Sequence, residues 1–155
     1  MHRVAIVAVE SASPELLRMV VERWQKRAQE GLQSIVLVVA GRNAADDQIV
    51  ELAQEVGLSL ERVEESRLAH ECTDIVALWD GRDVGVASLV SAALRVRRRP
   101  FLHYAESDVW YTQPKLIGSM VREAIRQQRL ARPQWNEKLV DPFGRGYRRG
   151  VRRGS

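Results

Sequence analysis

Polar and glycine residues follow three short apolar segments of this chain, and they could bind a phosphate or a carboxylate. Each polar segment precedes a predicted helix, whose first backbone N–H groups lack intrahelical partners and carry a partial positive charge. Glycine lets a ligand approach the backbone, and arginine adds charge. The candidate ligand-binding residues are Ser11, Gly41, Arg42, Asn43, Asp46, Asp80, Gly81, Arg82, Gly85 and Ser88. A second interpretation stays open, because Ser, Asn, Asp and Gly also cap helices that bind nothing.

Residue types suited to catalysis or metal binding also occur, but their contexts favour neither activity. Ser11 is not part of a G-x-S-x-G sequence, so it is not predicted to be a nucleophile. The adjacent side chains of residues 70–72 (H-E-C) cannot easily converge on one ion, so we expect no metal and no cofactor. His103 and Tyr104 end the last predicted strand, where they could line a cleft or pack in the core.

The elements that must position these residues alternate between short aliphatic runs and longer segments with apolar residues three and four apart. This alternation predicts an α/β fold, a Rossmann-like three-layer sandwich with a mostly parallel five-stranded sheet. The predicted strands are residues 4–9, 35–39, 58–63, 74–79 and 101–104. The first predicted helix starts after Ser13 and ends at Gly31, and the second starts at Asn43 or Asp46 and ends at Gly57. Two further helices are predicted over residues 86–96 and 115–130. In such a sheet, ligands bind outside the carboxyl ends of the strands.

The length and composition predict one folded domain, residues 1–131, followed by an extended tail, residues 132–155. Apolar residues make up 45% of the 155 residues and charged residues 28%, values typical of folded domains. No apolar run is long enough to cross a bilayer, and a single cysteine, Cys72, cannot form an internal disulfide. We therefore expect a cytoplasmic protein without a membrane partner.

The positive net charge of the chain comes from its C-terminal end. Five of the 24 basic residues and no acidic residue lie in residues 144–155, which leaves 19 basic residues against 20 acidic ones in the rest of the chain. The arginines concerned are Arg145, Arg148, Arg149, Arg152 and Arg153. This tail is a candidate contact for nucleic acid or for a protein partner. Whether the chain forms a homo-oligomer stays open.

Two motifs carry a resemblance to a known superfamily. Residues 40–46 (A-G-R-N-A-A-D), followed by a helix and residues 55–58, resemble the glycine-rich segment of small SLOG-superfamily proteins, Rossmann-like relatives of the lonely-guy phosphoribohydrolases. Residues 73–81 and Gly85 resemble that superfamily's second motif, and the similarity runs from about residue 3 to 104. The resemblance implies a nucleotide-derived ligand bound near Gly41, Asp46, Gly81 and Gly85, the positions that match.

A second resemblance bears on catalysis. Asp80-Gly81-Arg82-Asp83 is similar to a turn of the nucleoside 2-deoxyribosyltransferases, which place a nucleophilic glutamate early in the next helix. Here residues 87–92 (A-S-L-V-S-A) contain no acid. We therefore expect binding of a nucleotide or nucleotide-derived ligand without efficient catalysis. The alternatives are an N-glycosidase or transferase that uses Asp80 or Asp83, and a structural or interaction protein that uses its basic tail.

Overall fold

A computed structural model describes residues 2–31 and 34–131. The strands are β1 (His2–Ala8), β2 (Ile35–Val39), β3 (Ser59–Arg62), β4 (Asp74–Trp79), β5 (Arg99–Tyr104) and β6 (Val109–Tyr111). The helices are α1 (Pro14–Glu30), α2 (Ala44–Val56), α3 (Leu68–Glu71), α4 (Val84–Arg95) and α5 (Pro114–Ala131), with a 3₁₀ turn (Glu65–Arg67) before α3. The predicted tail, with its five arginines, lies outside the described residues.

The six strands form one sheet in the order β3-β2-β1-β4-β5-β6. The first five run parallel, and β6 pairs antiparallel with β5. β1 therefore lies between β2 and β4, and the chain moves outward from it in both directions. The α/β fold with a mostly parallel sheet is confirmed, and the arrangement is Rossmann-like.

The prediction of five strands was wrong, because a hairpin adds β6 to the sheet. β6 is only three residues long, which is too short for a periodic pattern to show. The hairpin turns through Asp108, which adopts a left-handed backbone conformation with φ 53°. Aspartate tolerates this conformation better than most residues, but it marks a turn less clearly than glycine does.

Helix ends lie close to where the capping residues predict them. Ser13 Oγ accepts the backbone N–H of Leu16 at 3.1 Å, and Pro14 is the first residue of α1. Gly57 ends α2 in a left-handed conformation and donates its N–H to carbonyl groups of the last turn. α4 begins at Val84, two residues earlier than predicted, because Asp83 caps it. None of the helices in residues 2–31 and 34–131 has the length and apolar character required to span a bilayer.

The core lies on both faces of the central strands, whose residues are buried at every position from Val4 to Ala8 and throughout β2 and β4. Alternate residues of these strands pack against Leu17, Val21 and Trp24 of α1 and against residues of α2. On the opposite face, α4 contacts β1, β4 and β5. Strands covered on both faces read as continuous apolar runs, which is how they were recognised in the sequence.

The chain divides into two compact units, residues 1–122 and 123–155. The candidate ligand-binding residues, from Ser11 to Ser88, all belong to the first unit. In the second, Glu123 accepts hydrogen bonds from Arg126 and Gln127 on the last turns of α5. These contacts lie along one helix face and stabilise it locally.

Candidate functional site

The carboxyl ends of β1, β2 and β4 meet at one edge of the sheet. β1 pairs in parallel with β2 on one side and with β4 on the other. The connection that leaves β1 leads to β2, whereas the one that leaves β4 leads to β5, so the chain departs in opposite directions from neighbouring strands. Such a switch point leaves a crevice between the two connections. Residues 9–13, 40–43 and 80–83 are therefore brought to the same edge.

Arg42 reaches from the β2 loop across the carboxyl end of β1. Its Nη1 lies 3.5 Å from the carbonyl oxygen of Ala8, the last residue of β1. Its Nε lies 3.4 Å from Oε1 of Glu65, in the 3₁₀ turn after β3. The Arg42 side chain is only 14% exposed. Its guanidinium group is thus held inside the crevice rather than extended into solvent.

The same guanidinium group also reaches the first turn of α4. Arg42 Nη2 lies 3.9 Å from Oδ1 of Asp83, the residue that caps α4. A Cβ atom at Gly85 would lie only 2.5 Å from this nitrogen. The absence of a side chain at Gly85 therefore provides the space that the guanidinium group occupies. The β2 and β4 loops are in direct contact through this one side chain.

Asn43 and Asp46 fix the backbone that carries Arg42. Asn43 Oδ1 accepts the N–H of Asp46 at 3.2 Å, and its Nδ2 donates to the carbonyl of Ala8 at 3.0 Å. Asp46 is 1% exposed, and its Oδ2 accepts the N–H of Arg42 at 2.7 Å. Its Oδ1 is buried without a partner among the described residues. Burial raises the pKa of the Asp46 carboxyl above its usual range, and the N–H of Arg42 partly opposes this shift.

The β4 loop is a turn built on its two aspartates. Asp80 Oδ1 accepts the N–H groups of Arg82 and Asp83, both at 2.8 Å. Asp83 Oδ1 accepts the N–H of Val86 at 2.9 Å and so caps α4. The indole Nε1 of Trp79 donates to the carbonyl of Asp83 at 3.0 Å. Both carboxylates are therefore used in part to hold the backbone, which matches the capping interpretation.

Two further side chains lie over the glycines of these loops. The ring of Tyr104, at the end of β5, covers Gly81 so closely that a Cβ there would lie 2.4 Å from Cε1. Tyr104 Oη donates to Glu106 at 2.8 Å, and this bond raises the pKa of the phenol. Nη1 of Arg62, at the end of β3, would lie 2.8 Å from a Cβ at Gly41. The edge therefore carries an aromatic ring and an arginine that the candidate set did not include.

As far as the structure describes the chain, some candidate residues contribute no side-chain contact to this edge. Ser11, Arg82 and Ser88 are exposed: Ser11 lies in the β1 loop, Arg82 in the β4 loop and Ser88 in α4. Their participation in ligand binding stays a prediction. His103 is buried and packs against Trp110, and its Nε2 lies 2.7 Å from Asp108 Oδ1. These contacts place His103 beside the β5–β6 hairpin, and it forms none of the hydrogen bonds or ion pairs described for the crevice.

Sequence reasoning missed Glu65 and Arg62, and it named Tyr104 only as a residue that could line a cleft, not as the cover of Gly81. The rule that placed the other loops also applies to β3, so Arg62 at its carboxyl end could have been included. Glu65 falls in a charged stretch without periodicity, residues 64–71, which gave no assignment. Its contact with Arg42 depends on the tertiary placement of the 3₁₀ turn, for which the sequence carries no short-range signal.

Comparison with protein-family models and with curated proteins finds no match. Among solved structures, the chain is similar to the catalytic domain of cholesterol-alpha-glucosyltransferase from Helicobacter pylori, with 22% sequence identity and a TM-score of 0.44. The similarity covers 66% of this chain and 64% of that one. The chain thus spans less than two thirds of the length of that domain. A likeness of this size assigns neither a family nor a substrate to the chain.

Proposed function

We propose that this protein binds a nucleotide or nucleotide-derived ligand in the crevice and that Arg42 contacts its phosphate. The observation that carries the proposal is the position of the Arg42 guanidinium group, between the end of β1 and the first turn of α4. The backbone N–H groups of Val84 and Gly85 precede the first intrahelical hydrogen bond of α4. A guanidinium group beside a helix N-terminus is a favourable setting for a phosphate.

A bound phosphate can replace Glu65 and Asp83 as the partner of Arg42. Its distances to Glu65 and Asp83, 3.4 and 3.9 Å, exceed the ~2.7–2.9 Å of a strong charge-assisted hydrogen bond. Partly exposed ion pairs of this kind contribute about 0–1 kcal/mol each. A charge-assisted hydrogen bond from arginine to a phosphate is worth roughly 1.5–3 kcal/mol. A bound phosphate therefore offsets the loss of both carboxylate contacts.

Efficient glycosidic cleavage is not part of the proposal. α4 contains no acidic residue, so the glutamate that the deoxyribosyltransferase resemblance implies has no counterpart in it. Asp80 and Asp83 each commit one oxygen to backbone N–H groups. Loss of a catalytic group commonly costs ~10²-fold or more in rate. An enzyme that uses Asp80 or Asp83 is the alternative, and release of free base abolished by Asp80→Asn or Asp83→Asn would establish it.

The test is calorimetric titration with nucleoside monophosphates and nucleotide sugars, each compared with its nucleoside. We expect the phosphate-bearing ligand to bind at least about tenfold more tightly than the nucleoside. Arg42→Gln should abolish this preference. Arg18→Gln is the matched control, because Arg18 is an exposed arginine of α1 paired with Glu55 at 2.7 Å. Equal affinity for nucleotide and nucleoside, or a preference that survives in Arg42→Gln, contradicts the proposal.

Mass spectrometry of small molecules released from the purified protein identifies the base and the number of phosphates. The oligomeric state and the contribution of the tail are separate questions. The other alternative is a structural protein that contacts nucleic acid through its tail. In that case nucleotides would not bind in the crevice, whereas an oligonucleotide would still bind to the full chain.

A further inference from the structure

A second concave site lies on the sheet face that carries α1, away from the crevice. It has a volume of about 210 Å³. Its walls come from α1, from β4 and β5 and from the end of the hairpin. The lining residues that matter here are Arg23, Trp24, Arg27, Val76, Phe101 and Trp110. We call this the aromatic pocket, and none of its lining residues belongs to the crevice.

The topology explains why this face is open. β5 returns directly into β6 through a hairpin, so no crossover helix follows β5 on this side of the sheet. Within the described part of the chain, α1 is the only helix that lines the pocket. Phe101 and Trp110 therefore remain only partly buried although they pack against the core. The edge of the sheet presents aromatic surface beside α1.

Two arginines of α1 lie on the aromatic rings of the pocket. Arg27 places its guanidinium carbon 4.5 Å from the ring centre of Trp24. Arg23 lies 5.9 Å from the ring centre of Trp110. Neither guanidinium group forms an ion pair within the described part of the chain, in contrast to Arg18 on the same helix. The pocket thus combines apolar aromatic walls with two positive charges that have no carboxylate partner there.

We infer that the aromatic pocket is a binding site for a small planar aromatic carboxylate. The ring packs against the partly buried faces of Phe101 and Trp110, and the carboxylate meets Arg23 and Arg27. A cavity of ~150 Å³ accommodates one benzene ring, so about 210 Å³ accommodates a fused pair of rings. The volume is below the ~300–1,000 Å³ of pockets for drug-sized ligands, which excludes a dinucleotide. The inference is independent of the function proposed for the crevice.

The competing explanation is that the two arginines only cover exposed aromatic surface with their aliphatic stems. The two explanations differ in their response to ligand charge. If the guanidinium groups bind a carboxylate, a charged ligand is preferred over its neutral isostere. If they serve only as a cover, charge has no effect.

The experiment compares naphthalene-2-carboxylate with naphthalene-2-methanol on the full chain. Binding is followed by the indole N–H signals of tryptophan in two-dimensional NMR. We expect the acid to bind at least about tenfold more tightly than the alcohol and to shift the signals of Trp24 and Trp110. Trp79, whose indole donates to Asp83, should be unaffected.

The variants test the two charges separately from the fold. The double variant Arg23→Gln and Arg27→Gln should bind acid and alcohol equally, while Arg18→Gln keeps the preference. Trp110→Phe should weaken both ligands by a similar factor. Equal binding of acid and alcohol by the unaltered chain, or no binding at millimolar ligand, overturns the inference. So does a concentration-dependent dimer whose formation shifts the same two tryptophan signals, because a second copy would then occupy the pocket. The comparison on the unaltered chain stands even if a variant fails to fold.

Discussion

Substitution of Gly81 by alanine tests how tightly the β4 loop is built. Gly81 has φ +84°, and a Cβ there would lie 2.4 Å from the Tyr104 ring. Gly57, at the end of α2, has a similar φ of +77° but nothing within 4 Å of the same position. The two alanine variants therefore share the backbone strain and differ in the steric clash. Gly57→Ala is the matched control.

The expected destabilisation follows from these two contributions. A left-handed conformation costs a residue with a side chain roughly 1–2 kcal/mol, so Gly57→Ala should lower the free energy of unfolding by about that amount. Overpacking of a core adds typically ~1–3 kcal/mol, and the low end applies here because the clashing atoms belong to the outer end of the partly exposed Tyr104 ring, which can move. Gly81→Ala should therefore cost about 2–3 kcal/mol. That is a sizeable part of the ~5–15 kcal/mol by which a domain of this size is stable.

Urea unfolding of Gly81→Ala, Tyr104→Ala and the double variant separates strain from clash. Removing the ring should abolish the steric clash, so Gly81→Ala should cost about 1 kcal/mol less in the Tyr104→Ala background. The backbone strain should remain in both backgrounds. If Gly81→Ala is no worse than Gly57→Ala, or if the two substitutions add within ~0.5 kcal/mol, the ring does not restrict this loop and the reasoning fails.

Four further predictions concern the crevice, the core and the tail. Gly85→Ala should displace the Arg42 guanidinium group and weaken nucleotide binding about tenfold while stability changes by no more than about 1 kcal/mol; unchanged affinity contradicts it. Because burial raises the pKa of Asp46 above its unfolded value, its stabilising contribution is present at low pH and is lost as the pH rises through the folded pKa. In urea titrations at each pH, Asp46→Asn should thus gain stability relative to the unaltered chain as the pH rises above about 4; a stability difference that stays constant with pH refutes this. Burial raises the pKa of Cys72 to about 11, so a thiol reagent should label it only after unfolding. Fast labelling of the native chain would contradict this prediction. In a chain that ends at Asp141, the slope of log affinity against log salt concentration for single-stranded oligonucleotides should be smaller by at most about 3.5. Equal slopes for the two chains would assign the binding to the part of the chain before the tail.

Much of the fold could be predicted because its signals are local. The buried strands read as apolar runs, and Ser13 and Asn43 mark the starts of α1 and α2 through the side-chain bonds that they form. The position of the crevice follows from the same assignments, since parallel strands bring their carboxyl ends to one edge. Each of these inferences uses only a few neighbouring residues.

The rest depended on contacts between distant segments. β6 is held by its pairing with β5 rather than by its own sequence. Glu65 meets Arg42 only because the 3₁₀ turn follows β3 around the edge of the sheet. The position of Tyr104 over Gly81 requires the order of β4 and β5 in the sheet. Nothing within a short sequence window specifies these side-chain positions.

The capping and ligand-binding interpretations of the loops are compatible, and Arg42 is where they can be separated. Asn43 caps α2 and donates to the carbonyl of Ala8, and Asp46 in the first turn of α2 accepts the N–H of Arg42, so these bonds hold the backbone of Arg42 at the end of β1. Removing either side chain would therefore disturb the fold and the crevice together. The guanidinium group of Arg42 contributes little to the fold, since its ion pairs are long and worth about 0–1 kcal/mol each. If Arg42→Gln changes the nucleotide affinity at nearly unchanged stability, the guanidinium group takes part in ligand binding. Loops that served only to cap helices would predict no effect of this substitution on nucleotide affinity.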